Sequence, residues 1–208
     1  MKLDHYEDIN KYINSRRHDI RGLIGIGAHR GQEFYGFRGM GVNNFIMFEP
    51  QPEKFEILNK LWEIQMLSPK PVPIDLDSLG EPKLDFRIEN LALGKDDGEK
   101  TMYVSSNDGQ SSSLLKPLMH EELYPGIKFE KEITVKQTSL DKYISENGIN
   151  MNKFNFICID VQGYELEVFK GATETLKHID CIFSEVNNIE LYEGCATIDK
   201  VDEFLGKN

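Results

Sequence analysis

Short apolar runs alternate with segments of helical spacing along most of this 208-residue sequence. The clearest run is FNFICIDV, at residues 154–161, and similar runs lie at residues 20–26, 44–48 and 181–186. Runs this short and continuous are typical of parallel strands that are buried on both faces. The sequence therefore predicts an α/β fold with a mostly parallel, doubly wound sheet and helices on both faces.

The other segments predict the elements around this sheet. Helical spacing of apolar residues predicts helices at residues 6–14 (within an N-terminal segment 1–18), 32–37, 55–64, 139–144, 162–179 with a break at Gly171, and 199–205. We expect Ser139 to cap its helix. Residues 68–82 are expected to be a loop, and residues 105–129 a long surface loop with a helical turn. Surface loops as long as the second are often functional.

A β-hairpin is predicted before the second loop. Residues 84–93 have the pattern of a strand, Asp96-Asp97-Gly98 is a turn signal, and residues 100–104 would return as the partner strand. Residues 133–137 are a further strand candidate.

The composition favours one globular domain, residues 1–208, with a small or carbohydrate-like partner. The formal net charge of −11 argues against a nucleic acid, because lysines and arginines supply much of the affinity for such partners. No apolar run reaches the ~18 residues of a membrane span. The N-terminus mixes both charge signs, so we expect neither a signal nor a transit peptide, and a cytoplasmic location.

The three cysteines have no metal-ligand spacing. Cys158 and Cys181 lie in apolar runs and are expected to be reduced core residues. Cys195 lies in a polar turn, where it could be exposed. No histidine–carboxylate cluster has ligand spacing either, so we expect no metal site.

The first apolar run ends in LIGIGAHRGQEFYGF, which contains Gly25, Gly27 and Gly31. The N–H groups at the start of the following helix favour close approach of a ligand. Glu49 ends the next strand, 22 residues after Gly27, near the ~20 that separate a nucleotide-binding turn from its ribose-binding acid. A plain strand-to-helix turn would also explain the glycines. Together with Glu49, they predict a site for an adenosine-bearing ligand whose sugar Glu49 holds.

Two later strands also end in acids. Asp160 closes the run at residues 154–161, where an unpaired charge would be costly, so we expect it to face a ligand. Glu185 ends the next strand. Gly163 permits close backbone approach, whereas Glu165 is better explained as a helix N-terminal acid.

Four polar residues are weaker candidates for the same crevice. Asn187 could orient a polar substrate, although a turn or capping role explains it equally well. Tyr164, Tyr192 and His29 could line the crevice as well.

The ordered blocks IGIGAHRGQE, FEPQPEKFEIL, NLALGKDDG, SSSLL, TSLDKYI, IDVQGYELEVFKGATETL and SEV resemble the FkbM family of S-adenosylmethionine-dependent methyltransferases. The match runs from about Gly22 to Leu205 and keeps the order of all the blocks. This resemblance implies a class I, Rossmann-like methyltransferase fold and S-adenosyl-L-methionine as cofactor. It also implies O-methylation, commonly of a sugar or a related glycoconjugate.

The resemblance also implies which residues bind the cofactor. They are Gly25, Gly27, Ala28, His29, Gly31, Glu49, Pro50, Asn90, Ala92 and Asp160. Glu49 matches the ribose acid of the family, and Asp160 matches an acid near the methionine end of the cofactor. Gln162 stands where many members have an acid.

Two departures from the family pattern lead to further expectations. The family usually has Asp-x-Gly-Ala-Asn where this chain has Gly25 and His29 at the acid and amide positions. Loss of the acid is expected to reduce cofactor affinity, with His29 as a substitute donor. The family also continues into two further strands after Leu205, so we expect the sheet to lack its last two strands.

For catalysis we expect a substrate hydroxyl to be positioned against the activated methyl group. Asp160 and Glu185 are the candidate bases, Tyr164 is an orienting group, and His29 is a weaker alternative base. The loop at residues 105–129, with Ser111-Ser112-Ser113, would cover a small-molecule or glycan acceptor.

Three other functions stay open. A nicotinamide-dependent oxidoreductase fits the ribose acid, but not the glycine spacing or the later blocks. A nucleic-acid methyltransferase is disfavoured by the charge. A non-catalytic relative that binds cofactor weakly would be consistent with Gly25.

Overall fold

The computed structural model of the protein describes residues 20–67 and 84–206. The helix predicted at residues 6–14 and the loop predicted at residues 68–82 lie outside these ranges. None of the helices within the two ranges is long and apolar enough to cross a lipid bilayer.

The strands of the described ranges form two sheets. In chain order they are β1 (Leu23–Ile26), β2 (Asn44–Phe48), β3 (Asp85–Glu89), β4 (Ala92–Leu93), β5 (Gly98–Ser105), β6 (Phe129–Thr138), β7 (Phe156–Ile159) and β8 (Cys181–Ser184). The larger sheet has the order β3-β2-β1-β7-β8, and all its neighbouring strands are parallel. The predicted α/β fold with a doubly wound sheet is confirmed. Its strand order reverses between β1 and β7, which is where such sheets bind ligands.

Helices cover both faces of this sheet. They are α1 (Gln32–Gly39), α2 (Pro52–Leu67), α3 (His120–Leu123), α4 (Leu140–Glu146), α5 (Glu165–Lys170), α6 (Thr173–Leu176) and α7 (Ile198–Leu205). Because side chains alternate along a strand, Leu23 packs in a cluster with Phe37 of α1, and Ile24 packs in another with Val168 of α5. Fully burying a side chain of this size contributes about 1.5–3 kcal/mol.

The strand predicted at residues 84–93 is two strands that belong to different sheets. After β3, the Asn90 side chain donates hydrogen bonds to the carbonyl oxygens of Glu49 at 2.9 Å and Pro50 at 3.1 Å. The chain then leaves the large sheet, and β4 pairs in parallel with β6. The Asn90 amide thus ties the turning chain to the end of β2.

The predicted hairpin between residues 84–93 and 100–104 is wrong. β5 pairs antiparallel with β6 along its whole length, and β6 separates β5 from β4. The turn before β5 is fastened to β6, since Thr138 Oγ1 donates to Asp97 Oδ1 at 2.8 Å. A turn signal indicates that the chain reverses, but it does not determine which strand becomes the neighbour.

Residues 105–129 connect β5 to β6 as predicted, but they do not form a simple surface loop. Ser111, Ser112 and Ser113 are all buried. The connection therefore folds inward over the carboxyl edge of the large sheet.

Several local predictions can be compared directly. The Ser139 cap is confirmed, because its Oγ accepts from the Lys142 N–H at 3.3 Å. Cys158 is buried and Cys181 is partly buried, and both are free thiols. Cys195, which the sequence suggested could be exposed, is only 3% exposed. Its Cβ lies so close to Gly163 that a Cβ on that glycine would be 2.8 Å away.

Candidate functional site

A cleft of about 1130 Å³ opens at the carboxyl ends of the central strands. Gly27 follows β1, Glu49 follows β2, Asp160 follows β7 and Glu185 follows β8, and all four line it. Single-ligand pockets usually measure about 300–1,000 Å³. This cleft therefore has room for a cofactor and an acceptor together.

The turn after β1 requires glycine at Gly27. Its φ is +78°, and a Cβ there would lie 1.9 Å from the backbone oxygen of Asp160. The N–H groups of Gly27 and Ala28 both donate to the carbonyl of Phe48 at 3.0 Å. These contacts place the turn directly beside the ends of β2 and β7.

Glu49 is held rigidly inside the cleft wall. It is 2% exposed, and its Oε2 accepts from the His29 N–H at 2.6 Å. Its Oε1 accepts from the Gln51 N–H at 2.8 Å. Burial raises the pKa of Glu49 to about 7, although the two N–H donors oppose that shift. A fixed carboxylate that borders a cleft is suited to accept hydrogen bonds from hydroxyl groups.

The other predicted cofactor positions divide into two groups. His29, Pro50 and Ala92 line the cleft along with Gly27, Glu49 and Asp160, whereas Gly25, Ala28, Gly31 and Asn90 are not among its lining residues. Residues of the second group have structural tasks, such as the Asn90 hydrogen bonds that end β3. Gly31 is the left-handed N-cap of α1, with φ of +73°.

The two departures from the family pattern have local physical reasons. Gly25 lies within β1, and a Cβ there would be 2.6 Å from Sδ of Met47. An acid at this position would therefore require Met47 to move. His29 has φ of +47°, a conformation that asparagine, aspartate and histidine tolerate better than most residues.

Asp160 and Glu185, which follow β7 and β8, form a second acidic part of the cleft wall. Both side chains are exposed to it, and protein groups crowd the Asp160 carboxylate from its other sides. This desolvation, followed by the negative charge of Glu185, raises the pKa of Asp160 above its ordinary value. A carboxylate with a raised pKa that remains accessible can take up a proton near neutral pH.

Gln162 controls the direction of the Asp160 carboxylate. Its Nε2 donates to Asp160 Oδ1 at 2.7 Å, and its Oε1 accepts from the Tyr192 hydroxyl at 3.0 Å. The Gln162 backbone has φ of +53°, and its carbonyl accepts from Ser113 Oγ at 2.8 Å. The Tyr192 hydroxyl also lies 2.9 Å from the Ser111 carbonyl oxygen, so its one hydrogen is shared between two acceptors. The Gln162 amide oxygen faces this hydroxyl, and the amide nitrogen is directed at Asp160.

The weaker candidates occupy different places. Tyr164 and Asn187 line the cleft, whereas Tyr192 is fully buried behind the wall. Glu165 does not line the cleft; its Oε1 accepts from the N–H groups of Val161 at 3.2 Å and Gly163 at 3.1 Å. Its role is that of a helix N-terminal acid, the explanation that the sequence favoured.

A segment around Asp108 reaches over the glycine turn, and sequence reasoning did not predict it. Asp108 Oδ1 lies 2.6 Å from Nζ of the buried Lys54, and the Asp108 carbonyl lies 2.9 Å from His29 Nε2. Gln51 Nε2 also donates to the carbonyl of Gly109 at 3.1 Å. The long connection thus closes over the Glu49 half of the cleft.

Among the described residues, the lysine, arginine, aspartate and glutamate side chains that line the cleft are all acidic. Glu33, Glu49, Asp160 and Glu185 line it, and no lysine or arginine of the described ranges does so. Nor does the described part of the chain contain a group of three or more side chains arranged to hold a metal ion. The wall is therefore suited to neutral or cationic ligands and disfavours anionic ones.

The doubly wound sheet, the glycine turn and the strand-end acid in one cleft define a Rossmann-like α/β protein with a ligand site at its switch point. The family described as the Methyltransferase FkbM domain matches residues 25–208. The chain therefore belongs to the FkbM methyltransferase domain family.

A curated relative and a solved structure both resemble the chain. The 2-O-methyltransferase NoeI of Sinorhizobium fredii (strain NBRC 101917 / NGR234) is 32% identical over 126 residues, which cover 58% of this chain and 51% of NoeI. The chain thus spans about half the length of this curated relative. The crystal structure of methyltransferase FkbM from Methylobacillus flagellatus KT superposes with a TM-score of 0.53 at 14% identity, over 89% of this chain and 36% of that one. At that identity the likeness supports the fold alone.

Proposed function

We propose that this protein is an S-adenosylmethionine-dependent O-methyltransferase that acts on a hydroxyl of a sugar or glycoconjugate-like acceptor. The observation that carries the proposal is Glu49, a buried carboxylate fixed by two backbone N–H groups at the edge of the cleft. In one class of adenosine-binding α/β proteins, an acid at a strand end accepts hydrogen bonds from the ribose hydroxyls, and Glu49 has the corresponding position.

The residues present fit this cofactor. Glu49 can accept both hydroxyls of a ribose, and the turn at Gly27 brings the backbone close to the ligand. S-Adenosylmethionine carries a sulfonium and an ammonium group, and the acid-lined wall at Asp160 and Glu185 favours such positive charge. When bound, the cofactor supplies a sulfonium methyl group that a hydroxyl oxygen can displace, with the C–S electron pair remaining on sulfur.

In this proposal Asp160 or Glu185 accepts the proton that leaves the acceptor hydroxyl. Asp160 is the better placed of the two, because its raised pKa brings its proton affinity closer to that required near neutral pH. Gln162 keeps one Asp160 oxygen occupied at 2.7 Å. Tyr164, which also lines the cleft, would orient the acceptor.

The hydroxyl acceptor is supported by one relative. NoeI is a 2-O-methyltransferase by name, and the aligned 126 residues include 58% of this chain. The cleft volume of about 1130 Å³ leaves room for a sugar beside the cofactor.

The alternatives fit the cleft less well. A nicotinamide dinucleotide carries a pyrophosphate, which four carboxylates without a described lysine or arginine would disfavour. A nucleic acid meets the same obstacle, which the net charge of −11 increases. A non-catalytic cofactor-binding module would keep the Glu49 site and fail only in methyl transfer.

Isothermal calorimetry with S-adenosylhomocysteine and with NADH tests the proposal. We expect S-adenosylhomocysteine to bind, NADH to bind far more weakly, and Glu49→Ala to reduce the S-adenosylhomocysteine affinity by about a hundredfold, since two hydrogen bonds to a charged group are lost. Glu53→Ala is the matched control, because Glu53 is an exposed acid at the start of α2. Absence of binding by the wild-type protein, or tighter binding of NADH, would contradict the proposal.

A further inference from the structure

His120 is a buried side chain whose role is not explained by the proposed chemistry. It begins α3 and is 3% exposed, yet it lines the cleft. Its backbone N–H lies 3.3 Å from the carbonyl oxygen of Leu191, another lining residue. The imidazole packs among the rings of Tyr124, Phe129 and Tyr192, at centroid distances of 5.0, 5.3 and 5.4 Å.

The ring of His120 has unused hydrogen-bonding capacity. Its Nδ1 is buried and has no hydrogen-bond partner among the described residues. Buried polar atoms are nearly always paired, so such an atom indicates a missing water or ligand. Burial also lowers the pKa of His120, which leaves the ring uncharged at neutral pH. An uncharged imidazole offers one donor and one acceptor, the same pair of functions that a hydroxyl group offers.

His120 is connected to the proposed reacting end of the cleft. The Tyr192 ring packs against His120, and the Tyr192 hydroxyl lies 3.0 Å from Gln162 Oε1. Gln162 in turn donates to Asp160. His120 and Asp160 therefore belong to one continuous wall of the cleft.

The same wall restricts the charge of the acceptor. Asp160 and Glu185 line the cleft, and no lysine or arginine in residues 20–67 and 84–206 lines it to neutralise an anionic substrate. The apolar lining residues Met102, Leu114, Ile127 and Leu191 offer contacts for the C–H face of a sugar, and the Tyr124 ring offers an amphipathic surface.

We propose that this half of the cleft is a subsite for an uncharged glycoside, one of whose hydroxyls is hydrogen-bonded by the imidazole of His120. The carboxylates of the wall disfavour phosphorylated sugars, nucleotide sugars and uronic acids. The inference rests on the proposed methyltransferase function and specifies the chemical class of its acceptor.

The test uses matched pairs of sugars. Neutral methyl glycosides of hexoses, deoxyhexoses and N-acetylhexosamines are incubated with the protein and S-adenosylmethionine, and the added methyl group is measured by mass spectrometry. Each hexoside has a counterpart in which the C6 alcohol is a carboxylate, so the pair has the same ring hydroxyls and differs in charge at C6. We expect at least one neutral glycoside to be methylated, and its uronic acid counterpart to react at least about tenfold more slowly.

His120→Phe tests the hydrogen bond between His120 and the glycoside. The substitution keeps an aromatic ring among Tyr124, Phe129 and Tyr192 and removes both ring nitrogens. We expect it to bind S-adenosylhomocysteine within about twofold of the wild-type affinity and to lose at least about tenfold in kcat/KM for the glycoside, mainly through KM. His178→Phe is the matched control, since His178 is exposed beyond α6.

Each outcome decides the inference. Equal or faster methylation of the uronic acid, no methylation of any neutral glycoside, or an unchanged kcat/KM in His120→Phe overturns it. If S-adenosylhomocysteine binds while these tests fail, only the acceptor assignment is wrong. If S-adenosylhomocysteine does not bind, the proposed function itself fails.

Discussion

Glu49 and Asp160 occupy equivalent positions in the sheet but have very different surroundings. Each directly follows a central parallel strand, β2 or β7, and burial raises the pKa of each above its ordinary value. Glu49 is 2% exposed and receives a backbone N–H on each oxygen. Asp160 is exposed to the cleft and receives one side-chain amide, that of Gln162.

The difference indicates how one type of strand end can support two kinds of chemistry. Backbone donors fix the direction of the Glu49 oxygens and leave lone pairs for hydroxyl groups, which suits binding. Asp160 has only one side-chain partner, an accessible carboxylate and the nearby charge of Glu185, which suits proton uptake. We therefore expect changes at Glu49 to affect affinity and changes at Asp160 to affect rate.

The largest expected effect is that of Asp160→Asn on catalysis. The substitution keeps the shape and removes the proton acceptor, so we expect kcat to fall by about a hundredfold to a thousandfold. The affinity for S-adenosylhomocysteine should change only a few-fold by calorimetry. Asp199→Asn, on the exposed side of α7, is the control. A wild-type kcat in Asp160→Asn, or a loss confined to cofactor affinity, would remove the distinction between the two acids.

A pH titration of cofactor affinity measures the Glu49 half of the comparison. The pKa of Glu49 is raised to about 7, and the ionised carboxylate is the better acceptor for ribose hydroxyls. Affinity should therefore be nearly complete at pH 8 and fall as the pH drops through 7, by about tenfold between pH 8 and pH 6. Calorimetry in Glu49→Gln should show a weaker dependence. An affinity that rises on acidification would contradict the assignment.

Gln162→Ala tests the Asp160 side of the comparison between the two acids. The amide of Gln162 stabilises the ionised form of Asp160 through its 2.7 Å hydrogen bond, so its loss should raise the pKa of Asp160 further. We expect the acid limb of the kcat profile to move to higher pH by about half a unit, roughly threefold in rate at a fixed pH. Tyr192→Phe should move it in the same direction by less. A merely structural role for Gln162 would lower kcat without moving the profile.

The smallest expected effect comes from the segment over Glu49. Asp108→Asn removes the carboxylate charge next to Lys54 and Arg30, and because Asp108 is exposed we expect a loss of about 1 kcal/mol in the free energy of unfolding. Urea denaturation measures this free energy, and Asp202→Asn, at an exposed position of α7, is the control. A larger loss in the control would show that the Asp108 contacts do not hold the loop.

The sequence predicted the strand-end acids because periodicity alone locates the ends of buried strands. Asn44–Phe48 and the helix break at Gly171 were found as predicted, since they depend on local patterns. Once the sheet is parallel, Glu49, Asp160 and Glu185 must lie at the same edge.

Long-range placement could not be predicted in the same way. The sequence around Asn90 does not reveal that its side chain would bind the carbonyls of Glu49 and Pro50 and divide the strand predicted at residues 84–93. The position of His120 also depends on contacts with Leu191 and Tyr192, about 70 residues further along the chain. Such contacts are decided by tertiary packing, which has no local pattern.

The most direct test of the account is a double-mutant cycle on the contact between Glu49 and the ribose. S-Adenosylhomocysteine and its 2′-deoxy analogue are titrated by calorimetry into the wild-type protein and into Glu49→Gln. We predict that loss of the 2′-hydroxyl weakens binding to the wild-type protein by about tenfold or more, and to Glu49→Gln by no more than about threefold. The same loss in both proteins would mean that Glu49 does not hold the ribose.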